Sequence, residues 1–184
     1  MDAYYCTPLS PFAPAIGANF NTFTTRAEVS PLPDPILPAN IVRPGTCLKL
    51  EAEGEVSSTG TPTIVLGFFF GLPGAAGGST IGSVFFGESG ALTVSTGAAW
   101  PWRMEYRGKF VTVGTAGSIV GHGDIEMGTS LTAFTTTAIP ITLALRTVAI
   151  NTTIANAIGV CATWSASSAS NNVRVYQHTA VLLN

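Results

Sequence analysis

Charge is what this sequence has least of. Lys, Arg, Asp and Glu make up 10% of its 184 residues, against about a quarter in ordinary soluble domains. A surface so poor in charge invites association, so much of it is expected to lie against other chains. Disordered chains combine low hydrophobicity with many charges; this chain reverses both, with 46% apolar residues. A net charge of −2 offers no cluster of Lys and Arg to a phosphate backbone, so nucleic acid is not an expected partner. The longest apolar run, "IVLGFFFGL" at residues 64–72, is about half of what a membrane helix needs, and no membrane partner is expected. "MDAYYCTPLS" lacks a basic start followed by an apolar run, so export through a secretory signal is not expected.

Cysteine is scarce too. Cys6, Cys47 and Cys161 lie far apart with no CxxC pair, which argues against a disulfide framework and a zinc site. Buried reduced thiols are the simpler reading. Nucleotide motifs are missing: twenty glycines form neither a Walker loop nor a dinucleotide fingerprint, and "GAAGGS" (74–79) opens no helix. No GxSxG elbow positions a serine nucleophile. In "HGDIE" the residues His122, Asp124 and Glu126 share one strand face, but steps of about 7 Å spread them too widely for one ion. Glu51, Glu53, Glu105 and Glu126 could pair as acids for sugar hydrolysis. Their Lys and Arg neighbours suit ion pairing better than a raised pKa. "NTT" (151–153) is a glycosylation sequon by pattern, read here as a polar turn. No catalytic residue, cofactor or metal ligand is expected, and the chain is not read as an enzyme.

Proline is abundant, and unevenly so: eight of twelve fall before residue 46. "SPLPDPILP" (30–38) can be neither helix nor central strand. With Tyr4, Tyr5, Phe12, Phe20 and Phe23, residues 1–45 read as an extended, semi-rigid arm able to span on the order of 100 Å. Those aromatics and Pro31, Pro33 and Pro35 are its candidate partner-binding residues. The other reading is that the segment wraps its own domain as irregular edge structure.

From Cys47 the pattern becomes period two. "CLKLEAEGEVSS" sets Leu48, Leu50, Ala52 and Val56 against Lys49, Glu51, Glu53 and Glu55. "WPWRMEYRGKFVTVG" sets Trp102, Met104, Tyr106 and Phe110 against Arg103, Glu105, Arg107 and Lys109, and "SIVGHGDIEMG" adds Ile119, Ile125 and Met127. Ten of the eighteen charged residues fall on these three outer faces, which predicts one solvated sheet face backed by a core. "TPTIVLGFFFG" (61–71) is apolar on both sides, as an interior or interface strand would be. Residues 81–86, 91–95, 145–151, 157–165 and 172–183 read as further strands, with Arg174, Tyr176 and His178 sharing a face on the last. No stretch makes a convincing amphipathic helix. The expected fold is all-β, an antiparallel β-sandwich of jelly-roll type over residues 46–184, with the Pro-rich arm ahead of it.

The runs "RPGTCLKLEAEGEVSSTGTPTIVLGFFFG" (43–71), "WPWRMEYRGKF" (100–110), "MGTSLTAF" (127–134) and "NVRVYQHTAVLLN" (172–184) resemble small virion proteins of tailed bacteriophages, whose jelly-roll-like sandwich trimerises. The resemblance spans residues 43–184 and leaves out the arm. It carries no active site. What it implies is a homotrimeric capsid decoration or minor capsid protein, made in the host cytoplasm and placed on the capsid surface against the major capsid protein. The arm would then be the anchor. The alternative is a tail-fibre or spike module recognising host surface carbohydrate, with Trp100 and Trp102 stacking on sugar; buried indoles would count against it.

Overall fold

The computed structural model describes residues 6–8, 20–31, 33–73, 84–130 and 133–183, the first three by backbone alone. The fold is all-β: two antiparallel sheets packed face to face. The larger contains β1 (Cys6–Pro8), β4 (Cys47–Ser58), β8 (Gly97–Thr112), β9 (Gly117–Ser130), β10 (Ala133–Ile139), β11 (Thr147–Ile150) and β13 (Asn172–Leu183). Its order is β1-β13-β4-β8-β9-β10, with β11 also on β9. The smaller contains β2 (Ala27–Glu28), β3 (Ile36–Leu37), β5 (Thr63–Gly71), β6 (Val84–Phe86), β7 (Leu92–Thr93) and β12 (Asn156–Trp164). There β12 and β5 are central, β2 and β3 pair with β12, and β6 and β7 pair with β5. Between β4 and β13 the chain changes sheet after β4, β7, β11 and β12, as a sandwich requires. A single 3₁₀ turn, Leu143–Arg146, is the one helical element among the described residues.

The alternation in β4 decides the rest of the larger sheet. Leu48, Leu50, Ala52 and Val56 are buried while Lys49, Glu51 and Glu55 are half-buried and Glu53 is exposed on the other side. In β8, Trp102, Met104, Tyr106 and Phe110 are buried, as are Ile119, Ile125 and Met127 in β9. A one-residue slip would turn all of these to water, so burial fixes the register. The two sheets meet in a ring cluster: Phe70 stacks on Phe86 at 4.4 Å, and Tyr106 meets Phe86 edge-on at 5.1 Å. Phe68 lies 6.0 Å from Phe86 and 6.4 Å from Tyr106.

Two expectations need correction. β5 is buried on both faces, but its second face needs no other chain: Phe69 is 2% exposed within this one. Gly159 of β12 leaves the space; a Cβ there would lie 2.4 Å from Phe69 Cε1 and 2.7 Å from Ser30 Oγ. The cover is thus drawn in part from the Pro-rich segment. The second correction concerns β13. A bulge at Tyr176, between Val175 and Gln177, shifts the phase of the strand. Tyr176 and Gln177 are both exposed and His178 turns inward, so His178 does not share a face with Arg174 and Tyr176. An extra residue in a bulge does this to any alternating strand.

Replacing Phe68 by Ala is expected to lower unfolding free energy by about 3–5 kcal/mol, measured by urea denaturation. Phe134→Ala, on an exposed face, should cost less than about 0.5 kcal/mol. Equal losses would mean that the ring cluster is not the core.

Candidate functional site

The residues singled out in the arm fall into three groups. Tyr4, Tyr5 and Phe12 lie outside the described residues. Phe20 and Phe23 are partly buried against the core of the chain itself. Pro31 and Pro35 are buried, and Pro33 is exposed. The described part of this segment runs along its own sandwich. Phe20 and Val173 exchange both backbone hydrogen bonds at 3.0 Å. Arg26 pairs with Glu88 at 2.6 Å and stands 4.3 Å over the Phe85 ring. The amide of Val29 donates to Val160 at 2.8 Å, and Ile158 donates to the carbonyl of Pro35 at 2.9 Å. Proline lacks a donor but keeps its acceptor, so Pro35 can still receive an edge bond.

Beneath this segment sits a buried polar cluster. Ser30 Oγ is 2.9 Å from Asp34 Oδ1 and 3.3 Å from Glu28 Oε1, and His178 Nε2 is 3.5 Å from Asp34 Oδ1. Burial first, then its bond to Asp34 and that residue's charge, push the Glu28 carboxyl up to about 8. Glu28 is therefore neutral at mid pH and able to donate to Asp34. The cluster was not legible in sequence, because the bulge at Tyr176 is what swings His178 towards residues 28–34. Among the described residues no three His, Cys, Asp or Glu side chains come together to hold a metal ion. His122, Asp124 and Glu126 all point outward from β9, opposite Arg107, Glu105 and Arg103. Of the cysteines, Cys161 is buried, which raises its thiol pKa, and Cys47 is only half-buried. In "NTT" the Asn151 side chain accepts from the amide of Thr153 at 2.9 Å and from its hydroxyl at 2.7 Å, closing a polar turn.

The tryptophans proposed to stack on sugar are taken up in the fold. Trp102 is 2% exposed. Trp100 is partly buried and its indole N–H donates to the carbonyl of Ser95 at 2.9 Å. Neither offers a platform to a ligand.

The outer face of the larger sheet is the other feature with chemistry. Glu51 on β4 stands opposite Glu105 on β8, a like-charge pair that would repel. Cations surround it. Lys49 lies 2.9 Å from Glu51, Arg107 lies 2.6 Å from Glu105, and Arg103 reaches both carboxylates at 3.5 and 3.6 Å. Lys49 holds the Glu51 carboxyl below its ordinary value. Such exposed pairs add little each to stability, but they fix where the free carboxylates are. Glu53 and Glu126 flank Arg103 in one row across β4, β8 and β9, and Arg103 is already engaged elsewhere. Compared with known proteins, the chain matches no protein-family model and no curated sequence.

Glu28 sets a pH dependence. Its pKa is higher folded than unfolded, so its contribution is complete below about 4.5 and drains away as pH rises through about 8. The urea midpoint should therefore fall across that window, and Glu28→Gln should flatten the fall. A parallel decline in both proteins would place the titration elsewhere.

Proposed function

We propose that the chain is a structural component of a virus particle, a homotrimeric decoration or minor capsid protein. The observation that carries this reading is the exposed strand at the β10 end of the larger sheet, which no further described strand pairs. β10 is exposed along almost its whole length, on both faces. The 3₁₀ turn that follows presents Leu143, 75% exposed, and Leu145, with Ile141 ahead of it and Val120 of β9 beside it. An uncharged edge strand is a template for another chain unless something covers it, and single-domain proteins rarely leave large apolar patches such as the one beside it open. A closed ring of copies would cover it. The resemblance of residues 43–184 to trimeric phage virion proteins points the same way, as does the low charge of the whole chain. Anchoring to the major capsid protein would fall to residues 1–19, of which Cys6–Pro8 also pair with β13 as β1, because Phe20, Phe23, Pro31 and Pro35 are engaged with the sandwich. A deletion that tests the anchor should end there, where it takes only the edge strand β1 among the described strands; one ending at residue 45 would also remove β2 and β3 from the fold.

Light scattering on the full chain should give a trimer, and Leu143→Asp with Leu145→Asp should give a folded monomer. In co-sedimentation with capsids lacking the protein, the full chain should bind to saturation, whereas residues 20–184 should remain trimeric in solution and not pellet. A monomeric wild type, or equal binding by both lengths, would sink the corresponding half of the reading.

A further inference from the structure

Two adjoining hollows lie on the solvated face of the larger sheet. One, of about 250 Å³, is lined by Glu53, Pro101, Arg103, Glu126, Phe134 and Tyr176, with the backbone of neighbouring strands as its floor. The second, of about 210 Å³, lies between Glu51, Glu53, Arg103 and Gln177. Sharing Glu53 and Arg103, they form one trough with an apolar end and a polar end.

The apolar end is built for ring faces. Phe134 is 66% exposed and Tyr176 is 38% exposed, from β10 and β13 at the two ends of the row. Tyr176 faces outward in phase with Arg174, and its hydroxyl donates to Glu55, which also holds Arg174 at 3.4 Å. Pinned by its hydroxyl, the Tyr176 ring lines the hollow. Phe134 stands opposite Gly128 of β9, so no side chain rises between its ring and Pro101; a Cβ on Gly128 would come within 3.1 Å of Pro101 Cδ. β13, β4, β8, β9 and β10 are successive neighbours, so four strand spacings, about 19 Å at the backbone, lie between two residues whose side chains line one hollow. With the second hollow beside it, the trough is longer than one sugar ring and suits a short chain of them.

The polar lining selects the ligand further. Glu53 and Glu126 are acceptors for hydroxyl donors, and the charge of Arg103 is offset by Glu51 and Glu105. The trough is net acidic, which disfavours uronic or sialic acids. Aromatic faces for the C–H faces of pyranose rings, with carboxylates and a guanidinium for their hydroxyls, match a neutral glycan.

We propose that this trough binds a neutral oligosaccharide, with Phe134 and Tyr176 as stacking platforms and Glu53, Arg103 and Glu126 as hydroxyl contacts. The site does not depend on the oligomeric reading above, and Trp102, which touches its lining, is too buried to serve as a platform.

Calorimetric titration of the full chain with maltohexaose, cellohexaose and N-acetylchitohexaose, and with an oligosialic acid as the anionic control, tests it. At least one neutral hexasaccharide should bind and the oligosialic acid should not. Phe134→Ala and Tyr176→Ala should each weaken binding about tenfold, or 1.4 kcal/mol. Glu126→Gln, which leaves the aromatic walls intact, should weaken it with an unchanged thermal midpoint. No binding by any neutral probe, preference for the oligosialic acid, or affinity unaltered in the Phe134→Ala/Tyr176→Ala pair would overturn the proposal.

Discussion

The smaller sheet has two apolar faces, and covering the second one constrains everything around it. The larger sheet supplies the cover for Phe68 and Phe70. The other face, where Phe69 lies, is closed with help from residues 26–35 of the same chain. Arg26 reaches Glu88, β2 and β3 take the edge of β12, and Ser30 packs over Gly159. A segment this rich in proline can do so because it adds only two-residue pairings at an edge, where its missing donors are not needed. Its stiffness also lowers the entropy lost on docking. Of the polar groups gathered there, Glu28, Ser30 and Asp34 satisfy one another out of water, His178 Nε2 stands 3.5 Å from Asp34, and a neutral Glu28 is how two buried carboxyls coexist.

Period two was legible in β4, β8 and β9 because long strands with one wet face repeat the signal many times. Twelve or more residues of alternation leave no competing register. The fold class followed from those three strands and the Gly-rich turns. Short edge elements gave no such signal. β2 and β3 are two residues each among prolines, and their pairing is decided by the bare edge of β12 rather than by their own preference. β10, "AFTTTAI", hides for the opposite reason: it is exposed on both sides, so it has no alternation to show. The apolar run at 61–71 left an interior and an interface strand both open because sequence reports that a face is buried, not what buries it.

The trough was still harder to see. Phe134 and Tyr176 lie far apart in the chain and meet only through the strand order. Strict alternation would have put residues 174, 176 and 178 on one face, which is the reading made from sequence. One bulged residue sends Tyr176 and His178 to different environments. Trp100 and Trp102, which the sequence offered to a sugar ring or, as the favoured reading, to core packing beside a proline, were large enough to be wanted by the core, and the core took them. Burial competes for the same residues that a ligand would use.

Edge and trough belong to the same sheet, and that has a geometric consequence. Phe134 sits on β10, the last strand of the row that ends in the exposed edge. Copies associating through that edge would bring the ends of their troughs close together, with their long axes related by the symmetry of the assembly. A weak site repeated around a ring gains from effective concentration without any new contact. A structural protein with such a face would hold a particle loosely against a glycan-covered surface, each contact readily broken and the sum persistent. Shallow, solvated contacts with few ordered anchors are suited to that kind of adhesion, because affinity then lies in the number of sites and not in the depth of any one.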